Sequence, residues 1–169
     1  ALLNVDALAK GYIVDRALAA ARVTGVEGLL VNLGGDIRTW GGGSGGARPW
    51  TVGVADPKRA ADNAAMKLLL RLSSGAVATS GNYERGYAVA GRKYSHILDP
   101  RTGRPADGVL SSTVTAGDCM TADALATILS VLTPAKGLLF VCEIPGTECL
   151  IVAADGKQHA SSGWGKLTV

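Results

Sequence analysis

The chain has 169 residues and a formal net charge of +3, from 17 basic and 14 acidic side chains. Its length fits one domain, or one half of a larger one. Hydrophobic residues make up 47% and charged residues 18% of the chain, a balance that excludes intrinsic disorder. The charge is too small and too scattered to predict a polyanionic partner, and an aromatic content of 5% argues against a base-stacking surface for nucleic acids.

The first predicted elements are a helix and a hairpin. Apolar residues recur at helical spacing over residues 4–24, with Asp6 as the expected N-terminal cap and Gly25 as the C-terminal cap. Two strands are predicted over 29–33 and 36–40, joined by a Gly-Gly-Asp turn. The glycine-rich run that follows lacks the Lys and Ser/Thr of a phosphate-binding loop, so we interpret it as a hairpin tip.

Short strands dominate the middle of the chain, and helical spacing returns after them. The remaining predicted strands are 50–55, 66–72, 75–79, 87–90, 109–116 and 148–153. A helix is predicted over 120–132 with Thr121 as its N-cap, and another begins at Pro134 and ends near Cys142. Because helices and strands are segregated, we predict a single α+β domain over 1–169, with a largely antiparallel sheet flanked by helices.

The apolar runs, the start of the chain and the cysteines indicate where in the cell the protein is found. No apolar run reaches the ~18 residues that a membrane span needs. The chain opens on Ala1 and an apolar pair, which predicts a processed product or a piece of a longer protein. Cys142 and Cys149 flank a Pro-Gly turn; they form a disulfide in an oxidising compartment, or they are buried small residues like Cys119. The absence of a Cys-x-x-Cys motif and of paired histidines argues against zinc.

Three segments contain polar residues that folding alone does not require. Lys10, which precedes a glycine near a helix start, can meet a phosphate or can simply be exposed. His96 lies near Asp99 in a turn-rich segment, where it can act as a general base or be structural. Asp123 and Thr127 share one helix face; they offer hard oxygen ligands suited to Mg²⁺, or they form the polar edge of an ordinary helix.

Five motifs occur in an order that resembles one known family. They read LNVDALAKGYIVDRA, VNLGGDIRTWG, ATSGNYER, YSHILDPRTGRP and TADALAT. Each motif is modest alone, but together they resemble the ApbE family, the FAD:protein FMN transferases, over residues 3–154. The resemblance implies a T-fold-like α+β architecture. It also implies an exported protein, in the periplasm or cell envelope and commonly a lipoprotein.

The resemblance implies a reaction and its participants. FAD is cleaved at its pyrophosphate, FMN is attached through a phosphoester to a Thr or Ser hydroxyl of a target flavoprotein, and AMP leaves. Mg²⁺ is the implied cofactor and FAD the implied substrate. The implied catalytic residues are His96, as the base for the acceptor hydroxyl, and Asp123. The implied metal ligands are Ala7 through its carbonyl, Asp123 and Thr127. The implied FAD-binding residues are Asn4, Lys10, Asn82, His96, Leu98 and Asp99.

The chain departs from the family pattern in two ways. Asn4 and Asn82 stand where the family usually or often has Asp, so affinity for FAD or metal is weakened or redistributed, with Asp6 as a compensating carboxylate. Family members are also about twice as long, so we expect this chain to be a C-terminal catalytic portion without the N-terminal half.

Three hypotheses follow from this expectation: a transferase, a non-catalytic module that binds flavin and Mg²⁺, and an FAD pyrophosphatase that uses water as acceptor. They belong to different classes, because the second has no turnover and the third needs no target protein. A homodimer or a partner chain that replaces the missing half would favour the transferase.

Overall fold

The computed structural model describes residues 4–43, 46–57, 68–81, 86–89 and 91–169. In that part of the chain the helices are Asp6–Ala21 (α1), Cys119–Val131 (α2) and Pro134–Cys142 (α3), with a short 3₁₀ turn at Trp164–Lys166. The strands are Gly28–Leu33 (β1), Asp36–Gly41 (β2), Trp50–Val54 (β3), Leu68–Leu72 (β4), Gly75–Gly81 (β5), Gly86–Val89 (β6), Arg92–Ser95 (β7), Leu98–Asp99 (β8), Arg104–Pro105 (β9), Val109–Ala116 (β10), Glu148–Ala153 (β11) and Gln158–Ala160 (β12). None of these helices is long and apolar enough to span a bilayer.

A six-stranded sheet forms the centre of the fold. Its strand order is β1-β2-β5-β10-β11-β12, and every neighbouring pair is antiparallel. Strands β3 and β4, β6 and β7, and β8 and β9 form separate two-stranded hairpins. The predicted α+β class with a largely antiparallel sheet is confirmed. Strand β6 agrees with the strand predicted over 87–90, whereas β7, β8 and β9 were not predicted, because each is only two to four residues long.

The alternation of side chains along the central strands divides the core into two layers. Ala76 and Ala78 of β5 face the helices and pack against Val14 of α1 and Ala122 of α2. Val77, between them, faces the other side of the sheet. There it packs in a cluster formed by Ile37, Val52, Val54, Leu70, Leu72 and Trp164. The helices therefore cover one face of the sheet, and the hairpin β3–β4 covers the other.

Helix α1 is shorter at both ends than predicted. Asp6 is its first residue rather than its cap, because Val5 occupies the cap position and the Asn4 Oδ1 accepts the Asp6 N–H at 2.7 Å. The helix ends at Ala21, before Gly25, whose φ of 88° belongs to the following turn. The predicted left-handed conformation of Gly25 is confirmed, but this glycine does not cap the helix.

Helix α2 is capped by Asp118 and not, as predicted, by Thr121. The Asp118 Oδ1 accepts the Thr121 N–H at 2.8 Å, and its Oδ2 accepts the Thr121 hydroxyl at 2.9 Å. Asp15 of α1 also accepts the N–H groups of Cys119 and Met120, both at 2.9 Å. Carboxylates are favoured over a hydroxyl at this helix start, because the first turn of a helix carries unpaired N–H groups and partial positive charge.

All three cysteines are free thiols. Cys119 and Cys149 are buried, as the second alternative predicts, but Cys142 is exposed at the end of α3. The disulfide between Cys142 and Cys149 is not formed in this structure. Burial raises the pKa of the Cys149 thiol to about 11, which is typical of an unreactive structural cysteine.

Helices α1 and α2 cross so closely at Gly11 that no side chain fits between them. A Cβ on Gly11 would lie 2.4 Å from the Cys119 carbonyl oxygen and 2.7 Å from the Met120 Cα. Both atoms belong to the α2 backbone, so no rotamer change can relieve the clash. The absence of a side chain at Gly11 therefore sets the distance between the two helices.

We expect Gly11→Ala to destabilise the chain, although Gly→Ala inside a helix ordinarily stabilises it by about 1 kcal/mol. The clash with the α2 backbone should lower the free energy of unfolding by about 1–3 kcal/mol. Urea unfolding followed by circular dichroism measures the change. Gly108→Ala is the control, because a Cβ there would meet nothing within 4 Å. A Gly11→Ala chain as stable as the native one would contradict the close crossing.

Candidate functional site

A cleft of about 1040 Å³ lies between α1, α2, the end of β5 and the segment 96–101. Segments that are far apart in the sequence meet beside this cleft. The Gly11 N–H, for example, donates to the Oδ2 of Asp123, which follows it by 112 residues. The predicted site residues that line the cleft are Asn4, Ala7, Lys10, His96, Leu98, Asp123 and Thr127.

Asp123 is held at the crossing of the two helices. Its side chain is buried, and its Oδ2 accepts the Gly11 N–H at 3.0 Å. In an α-helix the Gly11 N–H is the partner of the Ala7 carbonyl, four residues earlier. Because that N–H is directed at Asp123, the Ala7 carbonyl at most shares it. A carboxylate and a main-chain carbonyl, both from residues that line the cleft, thus compete for the N–H group of the buried Gly11.

Thr127 adds a hydroxyl one helical turn after Asp123. Its Oγ1 lies 3.2 Å from the Ser80 Oγ at the end of β5, and both residues line the cleft. Carboxylate, hydroxyl and carbonyl oxygens are hard ligands of the kind that Mg²⁺ prefers, and Mg²⁺ commonly retains several waters. Among the described residues, no three His, Cys, Asp or Glu are grouped to hold a metal, so an ion here would depend on this mixed oxygen set.

Asp36 is a buried acid beside these oxygens that sequence reasoning did not assign to the site. It is 1% exposed; its Oδ1 pairs with the Lys10 Nζ at 3.1 Å, and its Oδ2 has no hydrogen-bond partner among the described residues. Burial raises the pKa of Asp36 to about 6, an effect that Lys10 opposes and Asp123 increases. The sequence did contain a feature that could have pointed to Asp36. It is an acidic residue that begins a strand after two glycines, at a position where a core-facing side chain is usually apolar.

The cluster formed by Lys10, Asp36 and Asp123 is short of positive charge. Burial also raises the pKa of Asp123, against the opposing effects of the Gly11 N–H and of Lys10. The Lys10 Nζ is shared between Asp36 and the Gly34 carbonyl, which it approaches to 3.4 Å. One ammonium group beside two buried carboxyl groups favours the uptake of a proton or of a cation at this point.

His96 lines the other side of the cleft, whereas Asp99, also predicted for the site, does not line it. His96 is exposed on the wall, which Leu98, Pro100 and Arg101 continue. The Asp99 carboxylate is bound by Arg101, with Nε to Oδ1 at 2.8 Å and Nη2 to Oδ2 at 2.7 Å. These hydrogen bonds hold the pKa of Asp99 below its usual range. The carboxylate expected to orient His96 or contact the flavin is therefore engaged by an arginine.

Of the two asparagines that depart from the family pattern, the structure describes only Asn4. Asn4 is exposed at the cleft, where its Nδ2 donates to the Asp6 Oδ2 at 3.1 Å. Asp6 lines the cleft as well, so the carboxylate expected to compensate for Asn4 is at hand. Asn82 lies outside the described residues.

Sequence comparison relates the chain to one family over most of its length. The sequence profile of the ApbE family matches residues 1–151. A protein of Vibrio cholerae named FAD:protein FMN transferase is 36% identical, over 96% of this chain and 48% of the relative. A protein of the same name from Treponema pallidum is 36% identical, over 95% of this chain and 46% of the relative. The chain thus spans about half the length of the curated relatives it matches.

Solved structures show the same relation in three dimensions. The ApbE protein of Thermotoga maritima superposes with a TM-score of 0.87 at 38% identity, covering 99% of this chain and 53% of that one. The apo form of the Pseudomonas stutzeri flavinyl transferase ApbE superposes with a TM-score of 0.77 at 31% identity, covering 98% and 51%.

We expect the free energy of unfolding to fall, through Asp36, as the pH rises from about 4 to about 6. Folding raises the pKa of this carboxyl from 3.8 to about 6, so in this window the folded chain keeps a proton that the unfolded chain releases. The stabilisation is complete below pH about 4 and is lost above pH about 6, a change of about 2–3 kcal/mol. Asp36→Asn cannot ionise, so its stability relative to the native chain should rise by that amount.

Urea unfolding in chelator-containing buffers across this pH range measures the difference. Asp107→Asn removes an exposed carboxyl and gives the baseline for the loss of one charge. A difference between Asp36→Asn and the native chain that stays constant from pH 4 to pH 6 would refute the assignment of Asp36 as a buried acid.

Proposed function

This chain belongs to the ApbE family, and on that premise we propose that it forms the metal- and FAD-binding part of an FAD:protein FMN transferase. The proposed reaction moves FMN from FAD to a Thr or Ser hydroxyl of a target flavoprotein and releases AMP. The observation that carries the proposal is that Asp123, Thr127 and Ala7, which offer a carboxylate, a hydroxyl and a carbonyl oxygen, line one cleft together with His96. A cleft of about 1040 Å³ is at the upper end of the range for small-molecule sites, about 300–1,000 Å³.

The metal-binding part of the proposal assigns Asp123 and Thr127 as side-chain ligands and Ala7 as a carbonyl ligand. The Oδ2 of Asp36, which has no hydrogen-bond partner in the described part of the chain, supports a cation close by, because it leaves negative charge uncompensated in a buried place. When bound, Mg²⁺ would neutralise charge on the pyrophosphate oxygens and on the departing AMP. Asp36 also holds the Lys10 ammonium on the cleft wall, where an anionic phosphate would meet it.

The proposal assigns proton transfer to His96. The acceptor hydroxyl loses its proton as its oxygen attacks the phosphorus of the FMN portion of FAD, and a neutral imidazole can accept that proton on a ring nitrogen. His96 is exposed on the cleft wall, so a hydroxyl on a second protein can reach it.

The experiment that tests the function is AMP release from FAD, with Mg²⁺ or with chelator, and with or without a Thr-bearing acceptor flavoprotein. We expect Mg²⁺-dependent AMP together with fluorescent flavin bound covalently to the acceptor. Asp123→Asn keeps an oxygen that can accept the Gly11 N–H but loses the charge, so AMP release should fall by about 10–100-fold. Asp107→Asn, an exposed carboxyl away from the cleft, is the matched control.

Each other outcome selects a different function. AMP without labelled acceptor would favour an FAD pyrophosphatase. FAD binding without AMP would favour a non-catalytic flavin and Mg²⁺ module, or a requirement for the other half of the relatives' length. Full activity of Asp123→Asn would refute the metal assignment.

We expect His96→Ala to lower the rate of FMN transfer by about 10²–10⁴-fold, because it removes the proton acceptor, while FAD affinity changes little. Transfer rates and FAD dissociation constants, measured on the same preparation, separate the two effects. His159→Ala alters the chain's other histidine, which lies in β12, and serves as the control. A loss of FAD affinity without a loss of rate would make His96 a binding residue.

The resemblance also supports a location. We propose a periplasmic or cell-envelope protein, as a lipoprotein or otherwise exported, on the ground of family membership alone. Fractionation of the source cells tests this proposal, and recovery of the protein in the cytoplasmic fraction would contradict it.

A further inference from the structure

The hairpin β8–β9 follows His96 directly, and its hydrogen bonds are largely internal. The Asp99 carbonyl accepts the N–H groups of Thr102 at 3.1 Å and Gly103 at 2.8 Å, and Gly103 takes the left-handed φ of 66° that this turn requires. The Asp99 Oδ1 accepts the Arg101 N–H at 2.9 Å. These bonds determine the shape of the hairpin, but they do not determine where it lies relative to α2.

Arg101 extends from the hairpin to the C-terminal end of α2. Its guanidinium binds the Asp99 carboxylate through Nε and Nη2, and Nη2 also donates to the Val131 carbonyl at 3.3 Å. Arg101 and Val131 both line the cleft, so this bridge is part of the cleft wall.

The end of α2 is a place that favours a cation. The last carbonyl groups of a helix lack partners within it and carry partial negative charge. The last turn of α2 contains no basic residue of its own. Arg101 supplies both the positive charge and a hydrogen-bond donor from outside the helix.

The geometry distinguishes Arg101 and Asp99 from an ordinary surface ion pair, which contributes little. The Arg101 side chain is 58% exposed, but that of Asp99 is only 18% exposed. The pairing is bidentate, and the bond to Val131 adds a third point of attachment. A planar guanidinium bound at three points has one orientation, which a lysine could not reproduce.

We infer that Arg101 is a positioning residue, which holds the hairpin β8–β9 and the adjoining His96 against the helix that carries Asp123 and Thr127. Val131 follows Thr127 by one helical turn, so the bridge ends next to the proposed metal ligands. The effect on turnover rests on the proposed function, whereas the mechanical coupling of hairpin and helix does not.

Hydrogen exchange of the full chain tests the coupling without any assay of activity. In Arg101→Gln, the Thr102 and Gly103 amides should exchange about tenfold faster, because charge-assisted bonds no longer restrain the hairpin. Amides that pair β5 with β10 should be unchanged. Arg104→Gln removes an equal charge from the same hairpin and is the matched control. Arg101→Lys keeps the charge without the fork and should fall between native and Arg101→Gln.

The AMP-release assay tests the consequence for turnover. Arg101→Gln should lower kcat by about tenfold with a much smaller change in KM, because a displaced His96 loses alignment rather than affinity. Exchange no faster than in Arg104→Gln would overturn the inference. Faster exchange across β5 and β10 would also overturn it, because it would indicate general destabilisation. A raised KM at unchanged kcat would overturn it as well, because it would make Arg101 a substrate contact. If the native chain releases no AMP, as a non-catalytic module or a chain that requires the other half of the relatives' length would, the exchange result alone decides the positioning role.

Discussion

The crossing of α1 and α2 at Gly11 is the contact on which the candidate site depends. Because Gly11 has no side chain, the α2 backbone comes close enough for Asp123 to accept the Gly11 N–H and for Asp15 to accept two N–H groups at the start of α2. Each helix thus binds the other through a carboxylate. At the opposite end, Arg101 attaches the hairpin β8–β9 to the last turn of α2. One helix therefore fixes the positions of both walls of the cleft.

The electrostatics of Lys10, Asp36 and Asp123 follow from the burial of the two carboxyls. Close packing excludes water from Asp36 and Asp123, and burial raises the pKa of both carboxyls. Lys10 offsets only part of their charge, and one oxygen of Asp36 has no partner among the described residues. A buried arrangement with surplus negative charge costs stability unless a proton or a cation enters. Such an arrangement is better suited to binding than to holding the fold together.

Helical and strand positions were largely predictable, whereas the ends of the helices and the partners of the charged residues were not. Asp118, and not Thr121, caps α2, because capping depends on which side chain reaches the free N–H groups. At the start of α1, Val5 holds the position expected of Asp6 and makes no capping hydrogen bond with its side chain. Asp99 was expected beside His96, but its carboxylate is bound by Arg101, two residues along the same turn. Several neighbouring side chains can form these capping and ion-pair hydrogen bonds, and the periodicity of the sequence does not show which of them will.

Sequence alone was sufficient for the class of fold and, through five short motifs, for the family, whereas the site residues that the motifs imply stay predictions. It was sufficient because alternation and helical spacing follow from burial on one face, and because the motifs retain the residue types that the chemistry needs. Three features emerged from the three-dimensional contacts alone: the helix crossing that requires Gly11, the buried Asp36 paired with Lys10, and the link from Arg101 to the end of α2. Each of these depends on contacts between distant segments, and a linear pattern does not record which distant backbone lies beside a given residue.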